Sequence, residues 1–239
     1  AEDGIRDIGV TGVQTCALPI LESEGKELVN KLGNNAALCI ADLMDPSAPK
    51  QIAAECVRVF GKIDALVNCA AVFDRSNIEN LKYEDYLRMM QINLNAALFN
   101  IQACMAELKK SKGAVLNIGS VNAHAGEANL LAYSMSKGAM VTMTRNLGNA
   151  LGTSGVRVNQ INPGWVLTER ERKMKVEEGM PEGWWEKLSP TDIPSGAMTT
   201  PEQLAEGCIY WISDESRPFT ATVLDLEQFT FIGRNPEKS

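Results

Sequence analysis

An α/β fold is predicted for this chain, arranged as three layers around a mostly parallel sheet. Three observations predict it. Short apolar runs alternate with longer helix-like segments, each run leaves through a polar residue or a turn, and the connections have crossover rather than hairpin length.

In chain order, ESEGKELVNKLGNN (22–35) reads as a helix and AALCI (36–40) as a short buried strand. PKQIAAECVRVFG (49–61) has the spacing of an amphipathic helix closed by Gly61. DALVN (64–68) is the next strand. Residues 83–111 form one long helical stretch, expected to bend where Asn93 and Asn95 interrupt it, with Lys109, Lys110 and Lys112 favouring its C-terminal end. AVLNIGS (114–120) is a strand with a polar exit. Residues 130–155 make a second long helix, rich in small residues that permit close packing. VRVNQINPG (156–164) is a strand leaving through Pro163-Gly164. The helix 201–215 carries Pro201 in its first turn, and TATVLDL (220–226) is the last strand.

The 239 residues suit one domain. A formal charge of -7 without long basic runs argues against a nucleic-acid or anionic-membrane partner. Cysteines at 16, 39, 56, 69, 104 and 208 form no CxxC pair, and His124 is the single histidine, so neither a disulfide framework nor a metal site is expected. No apolar run is long enough to span a bilayer. A cytoplasmic protein is expected.

Ligands of such sheets bind beyond the carboxyl ends of the strands, which puts Asp42, Asn68, Ser120 and the segment after Pro163 on one rim. Tyr133 and Lys137 lie four apart in a helical segment and so share a face. An ammonium beside a phenol is expected to lower its pKa. Ser120 can offer its hydroxyl to the same substrate oxygen, and Asn93 could orient Lys137 through backbone or water contacts. This set suits proton transfer to a carbonyl or alcohol oxygen while a cofactor moves hydride.

In these residues the chain resembles the classical short-chain dehydrogenase/reductase family. VNCAA (67–71) is similar to its Asn-Asn-Ala-Gly motif, with Cys69 and Ala71 as departures. Asn93 in QINL, Ser120 in NIGS, and Tyr133 and Lys137 in YSMSK match its catalytic residues. NPGWVLT (162–168) resembles the segment that closes around the nicotinamide, and ADL (41–43) the segment that meets adenine.

The resemblance covers residues 21–233. It implies a Rossmann-like parallel sheet and reversible NAD- or NADP-dependent oxidation of a secondary alcohol to a ketone. Tyr133 then exchanges the proton, Lys137 lowers its pKa and binds the nicotinamide ribose, and Ser120 holds the substrate oxygen. Asp42, Leu43, Asn68, Ala70, Tyr133, Lys137, Pro163, Gly164, Val166 and Thr168 are the implied cofactor contacts. A homo-oligomer, dimer or tetramer, built through the two long helices is also implied. The tail VLDLEQFTFIGRNP departs from the family's common Asp-Gly-Gly ending.

The front of the chain departs further. A phosphate cradle needs closely spaced glycines at a strand-to-helix turn, yet after Thr11-Gly12 the next glycine is Gly25. The first strand-helix-strand unit is therefore expected to be missing, with weak cofactor binding as the consequence. Back-translations of AEDGIRD (1–7) and VTGVQTCALPI (10–20) permit two sequencing-adapter sequences, with Ile8-Gly9 spanning an index between them. Residues 1–20 are read as a non-native leader, and 21–239 as one incomplete Rossmann-like domain.

Plainer readings apply elsewhere. His124 lacks the glycines and carboxylate spacing of a Ser-His hydrolase and is read as a loop residue near the substrate. Cys69 is read as a small buried hydrophobe. Met174, Met180, Trp184 and Trp185 either line a substrate lid, suiting an apolar or ring-bearing substrate, or pack against the core or a neighbouring subunit. Glu169 to Lys173 read as a solvated helix face. The competing functions are a noncatalytic oligomerising or binding member of the same fold, which gives no reason for the Ser-Tyr-Lys set, and a methyltransferase, which needs a glycine-rich first loop.

Overall fold

The computed structural model describes residues 22–191 and 193–228, so the proposed leader lies outside the described residues. Four parallel strands form a sheet in chain order, β1 (Ala65–Asn68), β2 (Ala114–Ile118), β3 (Arg157–Pro163) and β4 (Val223–Leu226). Every connection is helical. α3 (Tyr83–Met90) and α4 (Ala96–Ser111) join β1 to β2, α5 (Leu131–Leu151) joins β2 to β3, and α6 (Glu169–Glu177) and α7 (Pro201–Ile212) join β3 to β4. α1 (Glu22–Leu32) and α2 (Ala48–Phe60) precede the sheet.

Neighbouring residues of a strand face opposite sides, and β3 uses both. Val158 packs with Ile101, Cys104 and Leu108 of α4 and with Met143 and Leu147 of α5. Arg157, also buried, sends its guanidinium to the Trp211 and Ser213 carbonyls and the Ser216 hydroxyl at the end of α7. Helices therefore cover both faces, giving a three-layer, Rossmann-like fold. A second core, with Leu43, Ile52, Met89 and Ala132, joins α2, α3 and α5 beside the sheet.

Local signals act where they were read. Gly61 closes α2 at φ 77, a left-handed conformation open to glycine at little cost, and its N–H returns to the Val57 carbonyl. Thr200 and Gln203 form a capping box ahead of Pro201 at the start of α7. The predicted bend in 83–111 takes the form of a π-helical turn at Gln91–Asn95.

One predicted element does not form. Residues 36–40 join no strand. A strand needs a hydrogen-bonded neighbour, and β1 closes the described sheet on that side, pairing only with β2. Cys39 still packs into the core, while Ile40 stays 40% exposed. Cys69, expected to be buried, is exposed just past the open edge of β1. Among the described residues no helix is long and apolar enough to cross a membrane.

Candidate active site

A cavity of about 540 Å³ opens where β2 and β3 end, with Ser120, Tyr133, Gly164, Val166 and Thr168 among its lining residues. Ser120 follows β2 in extended backbone, and its hydroxyl accepts from Asn122 N at 3.2 Å, opening a short turn over Val121–Ala123. Tyr133 sits in the first turn of α5 and lines the cavity together with Ser120. Lys137, one turn on and buried, donates from Nζ to the Ile118 carbonyl at 2.7 Å.

Burial dominates the electrostatics. It pushes the Tyr133 phenol above its usual pKa, opposed by the Ser120 hydroxyl. It also pushes the Lys137 ammonium down to about 8, with the Cys69 thiol acting the other way. The phenol lowered by Lys137 that the sequence suggested is therefore not present in the free site. Desolvation disfavours both charged forms, and the ammonium is turned to a backbone carbonyl.

The Asn93 side chain is held by the backbone of Val72. Its Oδ1 accepts from Val72 N and its Nδ2 donates to Val72 O, both at 2.8 Å, fixing the loop after β1. The same Nδ2 reaches Ser136 Oγ at 3.1 Å, and Ser136 donates to the Tyr133 carbonyl at 2.7 Å. The Asn93 side chain thus braces the turn that carries Tyr133 and makes no described contact with Lys137.

The implied cofactor residues divide. Pro163 ends β3 opposite Leu226 and delivers Gly164 to the cavity. Thr168 Oγ1 accepts from Glu171 N at 3.0 Å and caps α6, which leaves its O–H free to donate. Asp42, Leu43, Asn68 and Ala70 are not among the cavity's lining residues. Asp42 is exposed and its Oδ1 accepts from Met44 N at 2.9 Å. The Leu43 side chain lies in the core and Ala70 is exposed.

Asn68 is held in a chain of buried polar groups that crosses the sheet. Asn100 Nδ2 donates to Asn68 Oδ1 at 3.3 Å, Asn68 Nδ2 to Asn117 Oδ1 at 2.9 Å, and Asn117 Nδ2 to Thr144 Oγ1 at 2.9 Å. Thr144 donates on to Gln160 Oε1 at 2.9 Å, Gln160 Nε2 to Asn162 Oδ1 at 2.7 Å, and Asn162 Nδ2 to Asp225 Oδ1 at 2.8 Å. A buried amide has to be satisfied by near neighbours, and here those neighbours are one another. His124 ends the chain, its Nε2 lying 3.2 Å from Asn162 Nδ2 and 3.5 Å from Asp225 Oδ1. It is not among the cavity's lining residues.

Sequence reasoning missed several cavity residues, among them Phe73, Arg75, Trp165 and Glu227. Trp165 was findable, since it stands inside the NPGWVLT motif. Arg75 and Glu227 carry no local signal. On α6, Glu169, Arg170 and Lys173 are exposed as expected, while Glu171 and Arg172 are partly covered. Arg170 lies over Phe73 at 4.4 Å, Arg172 over Trp185 at 4.8 Å, and Glu171 Oε1 accepts from Trp165 Nε1 at 2.8 Å. Charged side chains stacked on rings register as polar in a hydropathy pattern although they pack. Of the lid candidates, Met174 lines the cavity, while Trp184, Trp185 and Met180 belong to an apolar cluster with Ile193 and Met198 that backs the cavity through Trp165.

Fold and site together define an oxidoreductase class. A family model described as enoyl-(acyl carrier protein) reductase matches residues 10–227, beginning inside the stretch read as leader. The chain belongs to the short-chain dehydrogenase/reductase family and is, by family, an NAD(P)-dependent dehydrogenase/reductase. It is 26% identical to a trans-4-hydroxycyclohexanecarboxylate dehydrogenase of Sinomonas cyclohexanicum, over 94% of this chain and 85% of that one. It is 27% identical to an L-rhamnose 1-dehydrogenase (NAD(P)(+)) of Azotobacter vinelandii, over 86% and 79%. Among solved structures it is similar to a blue fluorescent protein from a metagenomic library in complex with NADPH. That match has a TM-score of 0.77 at 26% identity and covers 90% of this chain and 85% of that one.

Proposed function

We propose that the chain interconverts a secondary alcohol and a ketone with NAD or NADP, Tyr133 exchanging the proton at the substrate oxygen. The observation that carries the reading is that Ser120 and Tyr133 line the same cavity, with Lys137 buried one helical turn beyond Tyr133. Ser120 holds the substrate oxygen and Tyr133 donates to it or accepts from it. Lys137 has three N–H donors and gives one to Ile118, which leaves donors for ribose hydroxyls. Gly164, Val166 and Thr168 would hold the nicotinamide end, with Pro163 setting their exit from β3. A nicotinamide cofactor supplies the hydride exchange when bound. Asn68 and Asn93 act as positioning residues, and Asp42, Leu43 and Ala70 would serve the adenine end through backbone or exposed atoms.

Cofactor binding is weak in this reading, because the glycines that would cradle the pyrophosphate do not follow Thr11-Gly12. A cytoplasmic homo-oligomer also belongs to it. Leu98 and Phe99 of α4 and Met135 of α5 are exposed apolar side chains on the two long helices, which supports that assembly. A noncatalytic binding member would share that surface but has no use for Ser120, Tyr133 and Lys137 as a set.

The test is Tyr133→Phe, assayed at saturating NADH and NADPH over a panel of ketones. Loss of a general acid costs roughly 100-fold to 10,000-fold in rate. Turnover within a few-fold of the parent would overturn the proposal.

A further inference from the structure

The cavity has two aromatic walls, and both of its lining cations are paired within the protein. Trp165 is held on several sides. Its indole N–H donates to Glu171 Oε1 at 2.8 Å, its ring stacks on buried Trp184 at 5.2 Å and 18°, and its backbone N–H donates to Glu227 Oε2 at 3.0 Å. Phe73 meets the Tyr133 ring edge to face at 6.3 Å, with Arg170 over it. Both rings line the same cavity as the Ser120 and Tyr133 hydroxyls.

The two cations that line this cavity are already paired within the protein, and its carboxylates leave the lining with an excess of negative charge. Arg75 pairs with Glu178 at 2.5 Å and with Glu127 at 3.5 Å, and Lys175 pairs with Glu178 at 3.0 Å. Glu171 serves the Trp165 indole, and Glu227 accepts from the backbone N–H groups of Trp165 and Gln228. An anionic substrate would have to break one of the cation pairs or sit unpaired beside these carboxylates, which is costly. A rigid ring gains contact with flat aromatic walls without freezing the rotors that an open chain must give up.

We propose that Trp165 and Phe73 select uncharged, ring-bearing ketones and secondary alcohols over open-chain or anionic ones. The assignment rests on the proposed reaction for its carbonyl chemistry, but its readout is binding rather than turnover.

Saturation-transfer NMR titrations of the full chain with cyclohexanone, 2-hexanone and 4-oxocyclohexanecarboxylate at neutral pH provide the test. Cyclohexanone is expected to bind roughly tenfold more tightly than either competitor. Trp165→Leu and Phe73→Leu are each expected to bring the three affinities within about twofold to threefold of one another. Trp185→Leu, which changes a ring outside the cavity lining, is expected to preserve the preference. If Trp165→Leu fails to fold, Phe73→Leu decides the question alone. Equal affinities in the parent chain, or a preference that survives in both cavity variants, would overturn the inference. If the preference is lost while Tyr133→Phe still abolishes turnover, the selectivity claim alone fails. If the preference stands while Tyr133→Phe turns over normally, the reaction alone fails.

Discussion

The Lys137 ammonium lies 5.7 Å from the centre of the Tyr133 ring and hydrogen-bonds the Ile118 carbonyl at 2.7 Å. A half-buried phenol and a buried ammonium thus sit side by side, each driven toward its neutral form, the phenol upward and the ammonium down to about 8. Retaining a buried lysine carries a stability cost, and that cost has a pH signature. Its folded pKa lies below its unfolded one, so between about pH 8 and 10.4 the unfolded chain holds the extra proton and stability rises with pH. Below that window the cost is present in full.

Lys137→Met is accordingly expected to stabilise the fold at pH 7 by about 1–3 kcal/mol while abolishing turnover. Urea denaturation at pH 7 and pH 9.5 provides the check. The gain should shrink at the higher pH, and a gain that is absent at pH 7 or grows with pH contradicts the account.

The buried polar chain across the sheet predicts strong coupling. Asn117→Leu takes partners from Asn68 and Thr144 at once, so a loss of about 2–4 kcal/mol is expected. A double-mutant cycle on Asn68→Ala and Asn117→Ala is expected to give an interaction of more than about 0.5 kcal/mol. Strict additivity would show that the chain is a set of independent contacts.

Gly164 and Glu227 make a third prediction. A Cβ on Gly164 would stand 1.6 Å from Glu227 Oε2, so Gly164→Ala must expel the carboxylate that holds the Trp165 backbone. The expected result is a loss of about 1–3 kcal/mol in stability and altered Trp fluorescence. Adding Glu227→Ala clears the space, and Gly164→Ala on that background should cost under about 1 kcal/mol. A full loss on both backgrounds would assign the glycine's role to its backbone rather than to Glu227.

The sequence by itself determined the strands at 64–68, 114–120, 156–164 and 220–226, because apolar runs and their polar exits are local properties of the chain. It also determined that Ser120, Tyr133 and Lys137 would share a neighbourhood, since a strand end and one helical turn fix their placement. Only the tertiary structure decided that Asn68 and Asn162 are committed to the sheet-crossing chain, and that residues 36–40 go unpaired. It alone brought Glu227 against Gly164 and Arg75 to Glu178, a pair 103 residues apart. It also reversed the expected electrostatics of the phenol, since desolvation depends on what surrounds a group in space. Spacing along a helix says which side chains are neighbours, whereas the depth of their burial is set by elements far away in the chain.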